Sequence, residues 1–236
     1  MKEQERATSA DHVYEAIKTA IFDRRFYPGE VLSERRLSSE LGVSRTPVRQ
    51  ALFRLYQEGL LERGPQNAFR LTRLTKDDVA EVFEIREWLE GLTARRAAER
   101  VRADPEARKV VEALKEELLR HRDAIQQGDL GTEFEYDLKL HSTLMRLSGN
   151  SRIEAIINRM NAQIHHVRIR SKSDERTLQT IDEHLAILEA VLEGDPDWAE
   201  STMRRHVQKA QSAASKIVDE ERPPALRDYM KALGGD

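Results

Sequence analysis

The feature that most constrains this chain is a short turn between two amphipathic segments. Leu37 and Leu41 sit one helical turn apart in a segment that Ser33 can N-cap, and Gly42 stops it. Val43 fills the turn, Ser44 can cap the next segment, and Pro47 falls in that segment's first turn, where a missing N–H costs nothing. Val48, Leu52 and Leu55 then recur at helical spacing to about Glu58, and Gly59 is placed to end the helix. Upstream, His12 to Arg24 carries Val13, Ile17, Ala20 and Ile21 at the same period before Tyr27-Pro28-Gly29 forces a turn. Downstream, Leu60–Arg63 and Ala68–Thr72 read as two short strands around Gly64-Pro65-Gln66-Asn67. Helix, helix, tight turn, helix, hairpin is the order of a winged helix-turn-helix.

Charge is distributed to match. Net charge is -3, but residues 41–73 hold six arginines against two glutamates, a balance of +4, while residues 76–236 sum to -6. A basic module on an acidic body suits a DNA-binding head with a separate partner domain. The third helix opens Ser44-Arg45-Thr46-Pro47-Val48-Arg49-Gln50, with two arginines one turn apart at the end that enters a major groove. Arginine matches the paired acceptors of guanine, and a helix N-terminus favours phosphate. The competing reading is a solvated arginine-rich face.

The run "YPGEVLSERRLSSELGVSRTPVRQALFRLYQEGLLER" resembles the GntR family of bacterial regulators over about residues 11–74. The resemblance implies DNA contacts from Arg35, Arg45, Thr46 and Arg49. There is one departure. The wing tip of this family usually carries glycine, and here Asn67 stands before Ala68 and Phe69. Asparagine tolerates positive φ better than other non-glycine residues, so Asn67 is the candidate tip contact.

After Leu74 the pattern becomes one of long helices. Thr75 can cap a helix to about Arg102, and Asp104-Pro105 breaks it. Val110, Val111, Leu114 and Leu118 mark a second helix ending near Gly128, and Thr132 to Glu135 has capping-box spacing for a third, which Ser148-Gly149-Asn150 ends. Two more follow, about Ser151–Arg170 and Glu175–Glu193, and after Gly194-Asp195-Pro196 a last one carries Trp198, Met203 and Val207. The expected fold is mainly α: a winged helix-turn-helix over 11–74 and an all-α antiparallel bundle over 75–222, flanked by a flexible tail at 1–10 and a polar tail at 223–236. Cysteine is absent, which excludes disulfide and thiolate chemistry, and no apolar run has the length of a membrane span. A cytoplasmic location follows by default.

Four polar residues fall where apolar ones belong. Asp137 and His141 are four apart on one face with Leu138, Leu144 and Met145. His184 lies one turn from Ile181 and Leu188, and His206 is flanked by Met203 and Ala210. Buried polar groups need partners, and one metal ion would satisfy all four. Imidazoles with one carboxylate suit Zn²⁺, with Ni²⁺ or Mn²⁺ as alternatives. Each histidine taken singly reads equally as a core residue hydrogen-bonded to a neighbour. Residues 77–218 resemble the helical FCD effector domain of the FadR-type branch, through "VFEIREWLEGLTARRAAER", "YDLKLHSTLMRLSGN", "DEHLAILEAVLEGD" and "AESTMRRHV". That resemblance implies a divalent metal held by Asp137, His141, His184 and His206. His165 and His166 are read as non-ligands, and His12 and His121 carry no signal.

Arg86, inside "EIREWLE", lies on the face expected to line the cavity. It could pair with an effector carboxylate or with a glutamate of the bundle. The resulting expectation is a regulator, a repressor relieved by a small organic acid, working as a homodimer on a pseudo-palindromic operator, because one recognition helix covers one half-site. Three rivals remain: a metalloregulator for which the metal is the signal; a metal-dependent hydrolase, which lacks a recognisable general base or nucleophile motif; and an acyl-CoA type of effector, which needs no metal in the domains this one resembles and against which the four-ligand set weighs.

Overall fold

A computed structural model describes residues 2–23, 25–127, 133–170 and 174–220. The head comprises α1 (Lys2–Phe22), α2 (Glu34–Leu41), α3 (Arg45–Gln57), β1 (Leu61–Arg63), a single 3-10 turn (Pro65–Asn67) and β2 (Phe69–Leu71). The body comprises α4 (Lys76–Ala103), α5 (Pro105–Gln126), α6 (Glu133–Ser148), α7 (Ser151–Arg170), α8 (Asp174–Glu193) and α9 (Pro196–Glu220). Among the described residues no helix is long and apolar enough to cross a membrane. The proposed cap at Thr132 and the tail at 223–236 lie outside the described residues.

Local signals place most boundaries. Ser33 Oγ accepts the Arg36 amide at 3.4 Å, and Gly42 closes α2 at φ 64 with its N–H on the Ser38 carbonyl. Ser44 stands at the N-cap of α3 but makes no side-chain capping bond, in contrast to its expected role. The first helix also departs from expectation: α1 begins at Lys2, so the stretch expected to be a flexible tail is helical. Apolar spacing starts only at Val13, whereas Lys2 to Ala10 holds Glu, Gln, Arg and Ala with no glycine or proline to stop a helix.

The head core joins Val13, Tyr14 and Ile17 of α1 to Leu37, Val48, Leu52 and Leu55, and closes on Leu61, Phe69 and Leu71 of the hairpin. Leu52 and Leu55 have no exposed surface, and truncating either to alanine should cost about 2–5 kcal/mol. β1 and β2 pair antiparallel in the register Leu61↔Leu71, Glu62↔Arg70, Arg63↔Phe69. Their tip puts both Gln66 (φ 56) and Asn67 (φ 61) in the left-handed region. The expected tolerance at Asn67 is thus used, and Gln66 shares it, at about 1–2 kcal/mol per residue.

In the body, Thr75 and Asp78 form a reciprocal capping box at the start of α4, and Asp104 caps α5 ahead of Pro105. Ala94, Ala97 and Ala98 of α4 are fully buried and let α9 approach through Ala199, Met203 and Val207. The same core takes in Val111, Leu118, Leu140, Leu144, Ile181, Leu188 and Val191, so the six helices share one apolar interior. Head and body meet at α7. A Cβ on Gly59 (φ +80) would fall 2.3 Å from Gln163 Nε2, and Ala162 packs against the head core.

Candidate DNA-binding face and metal centre

Arg35, Arg45, Thr46, Arg49 and Asn67 are all exposed. Arg45 and Thr46 occupy the first two positions of α3, where unsatisfied backbone N–H groups also face outward. Arg49, one turn on, is held by Glu34 through Nε at 3.0 Å and Nη2 at 2.9 Å. The bidentate pair fixes the guanidinium beside the N-terminus of the recognition helix. This cross-link between α2 and α3 was not legible in the sequence, because the two residues stand fifteen apart and meet only when the turn at Gly42 closes.

The four polar residues of the body converge. Asp137 and His141 rise from α6, His184 from α8 and His206 from α9, each at most 6% exposed. One ligand atom from each lies within 4.8 Å of all the others. His184 Nε2 stands 3.4 Å from His206 Nε2 and 3.6 Å from Asp137 Oδ1, and His141 Nε2 stands 3.7 Å from the same oxygen. Ligand atoms around a tetrahedral zinc at ordinary bond lengths are spaced at about 3.3 Å.

The outer ring nitrogens identify what those inner atoms are for. His206 Nδ1 lies 2.8 Å from Glu183 Oε2, and since a carboxylate only accepts, the imidazole donates there and presents Nε2 inward. His141 Nδ1 lies 2.8 Å from Glu90 Oε2, within ion-pair distance. His141 Nε2 is buried with no hydrogen-bond partner in the protein. A carboxylate beside two of the three imidazoles, and an orphaned nitrogen on His141 facing inward, fit a metal ion. Burial pushes the His206 imidazole below its usual value, offset in part by Glu183 and reinforced by His141, so the neutral, ligating form is favoured. Burial would raise the Glu183 carboxyl, but His206 and Arg176 outweigh it and hold it at about 2.

Arg86 is 1% exposed, and its Nε donates to Glu90 Oε1 at 2.7 Å. Of the two readings open to it, the ion pair with a bundle glutamate is the one present, which links Arg86 through Glu90 to His141. A cavity of about 430 Å³ opens beside His141, lined also by Leu138, Ser142, Met145, Asn158 and Asn161 but not by Arg86. His121, which showed no signal in the sequence, is buried and stacks on Tyr136 at 4.2 Å. The side chains of His165 and His166 lie outside the described residues. Sequence reasoning missed Glu90 and Glu183. Each had a signal, since Glu90 is four residues from the buried Arg86 and Glu183 adjoins His184, but their histidine partners stand on other helices.

A basic recognition helix with a hairpin wing, set on a helical bundle that encloses a polar centre, fits a DNA-binding transcription regulator. Residues 9–71 match the family "Bacterial regulatory proteins, gntR family", and residues 81–209 match the FCD domain. The chain belongs to the GntR family, with an FCD domain as its second half. It is 33% identical to the HTH-type transcriptional regulator YdhC of Bacillus subtilis over 82% of this chain and 85% of that protein. It is 27% identical to the HTH-type transcriptional repressor RspR of Escherichia coli over 88% of this chain and 90% of that one. Its fold is shared with E. coli McbR/YncC at a TM-score of 0.69 and 21% identity, covering 88% and 97% of the two chains. The families and relatives matched are regulators of transcription, not enzymes.

Proposed function

We propose that this regulator is a repressor whose FCD domain holds one divalent metal, Zn²⁺ first and Ni²⁺ or Mn²⁺ as alternatives, and answers to a small organic acid. The observation that carries the reading is the buried convergence of Asp137, His141, His184 and His206, with Glu183 and Glu90 behind two of the imidazoles. These four residues would hold the ion, which supplies a Lewis-acidic centre able to bind a carboxylate. The cavity beside His141 has the size of a small-ligand site and carries Lys139, Ser142, Asn158 and Asn161 on its wall. Arg86 is the buried cation of the site. It meets the effector only if Glu90 yields an oxygen, and otherwise acts through Glu90 on His141.

In this reading Arg35, Arg45, Thr46 and Arg49 dock the head in the major groove and Asn67 carries the wing to the neighbouring groove. A pseudo-palindromic operator then calls for a homodimer. Exposed Ile85 and Trp88, one turn apart on α4, support that assembly, since large apolar side chains on one helix face suit a second copy. A DNA target suits work in the cytoplasm.

The test is operator affinity of full-length protein, stripped of metal and then reloaded with Zn²⁺, across a panel of small carboxylates. An acid that changes affinity only in the loaded protein supports the reading. A switch produced by Zn²⁺ alone, with no acid adding to it, makes the metal itself the signal. Failure of the stripped protein to take up any divalent metal ends the proposal.

A further inference from the structure

We infer that Arg63 is the residue that sets the wing for DNA, by clamping a tip whose two left-handed positions carry no glycine. This rests on the reading that the wing reaches DNA. The tip runs Gly64-Pro65-Gln66-Asn67-Ala68, and its two left-handed residues, Gln66 (φ 56) and Asn67 (φ 61), both carry a Cβ. They are the positive-φ non-glycine residues among those described. Something outside the turn must hold them there, because L-residues leave this region readily when unsupported.

Arg63 supplies the hold. It is the last residue of β1 and pairs across the hairpin with Phe69. Its guanidinium Cζ lies over the Phe69 ring, 3.8 Å from the centroid, and 5.3 Å from that of Tyr56 at the end of the recognition helix. From that platform Nη1 donates to the Asn67 carbonyl at 2.7 Å. Phe69 is itself 4% exposed in the head core, so the tip is referred through one side chain to the rigid part of the domain. Two backbone bonds, Gly64 N–H to the Ala68 carbonyl at 2.8 Å and Ala68 N–H to the Pro65 carbonyl at 3.2 Å, close the loop but do not use the Asn67 carbonyl that Arg63 engages. Arg63 is therefore a positioning residue: it fixes the direction of Asn67 rather than reading DNA.

The tip has no formal charge, which makes the claim separable from its rival. An arginine on phosphate contributes to the salt dependence of binding, about 0.9 of a logarithmic unit per contact, while a neutral tip contributes none. Lysine keeps the charge of arginine but not its planar stack. The experiment measures operator affinity against salt for full-length Arg63→Ala, Arg63→Lys, Arg63→Ala with Asn67→Gly, and Arg45→Ala as the control for docking of the head. Circular dichroism confirms that each remains helical.

The clamp requires Arg63→Ala and Arg63→Lys each to weaken the operator complex about tenfold with the salt slope unchanged, the scale of one unsupported left-handed residue. Glycine at 67 should recover most of that loss, because it adopts positive φ without support. If Arg63→Lys keeps full affinity while Arg63→Ala loses it together with about one unit of slope, Arg63 touches phosphate and the clamp is wrong. If Arg45→Ala weakens binding and Arg63→Ala does not, the tip needs no clamp. If neither does, the docking of the head is at fault and the clamp falls with it.

Discussion

His206 donates Nδ1–H to Glu183 at 2.8 Å, and this one bond turns the opposite ring nitrogen to within 3.4 Å of His184 Nε2. Glu183 is in turn held by Arg176 at 2.9 Å and Lys209 at 3.2 Å, so the ring orientation is braced from outside the core. Glu183→Gln should therefore keep the fold and lower metal affinity by about 10–100-fold. Competition against a chromogenic chelator measures it, and unchanged affinity would remove Glu183 from the support of the site.

His184→Ala deletes a ligand on α8 without touching the head, whose core is built from residues 13–71. The wild-type protein should gain about 2.7 kcal/mol of stability at Zn²⁺ one hundredfold above its dissociation constant. The variant should gain little, and it should still bind DNA non-specifically. A full thermal shift in His184→Ala would show that the ion sits elsewhere.

Arg86 and Glu90 form an ion pair in which each side chain is 1% exposed. Removing one partner leaves a buried charge, so Arg86→Ala should cost about 3–5 kcal/mol in urea unfolding. Replacing both residues by apolar ones of similar size should recover stability yet still weaken metal binding, because His141 would lose the carboxylate behind its Nδ1. Recovery of both properties together would show that Glu90 serves only Arg86.

Arg45→Ala and Arg49→Ala should each weaken specific operator binding by about 1–3 kcal/mol per lost base contact. Arg49 is pre-positioned by Glu34, so Glu34→Ala should weaken binding less than Arg49→Ala while lowering the discrimination against mutated half-sites. Unchanged affinity in both arginine variants would overturn the docking.

The pH dependence has two windows. His206 has a folded pKa below its ordinary 6.5, so the unfolded chain takes up that proton first. Stability of the metal-free protein should therefore fall as pH drops from about 6.5 through the folded value, and bound metal should leave over the same descent. Glu183, at about 2 when folded against 4.5, contributes stability that is complete above 4.5 and fades only towards 2. Urea midpoints between pH 8 and pH 3, with and without Zn²⁺, separate the two. A flat profile from pH 7 to pH 5 in the metal-free protein would contradict the assignment of His206.

The sequence by itself determined the order of elements and the identity of the converging residues. Apolar period, Ser33, Thr75, Asp104 and the glycines at 42 and 59 act within a turn of their own position, so they are readable along the chain. Asp137, His141, His184 and His206 were legible because a polar residue on an apolar stripe signals burial wherever the stripe ends up. The start of α1 was not, since Lys2 to Ala10 carries no apolar period to mark a helix. The tertiary structure alone decided which carboxylate backs which imidazole, that Glu34 holds Arg49, and that Arg63 rather than glycine governs the wing tip. Those pairings depend on how helices and strands stack, and side-chain hydrogen bonds form within about 3 Å, a distance that spacing along a chain does not encode.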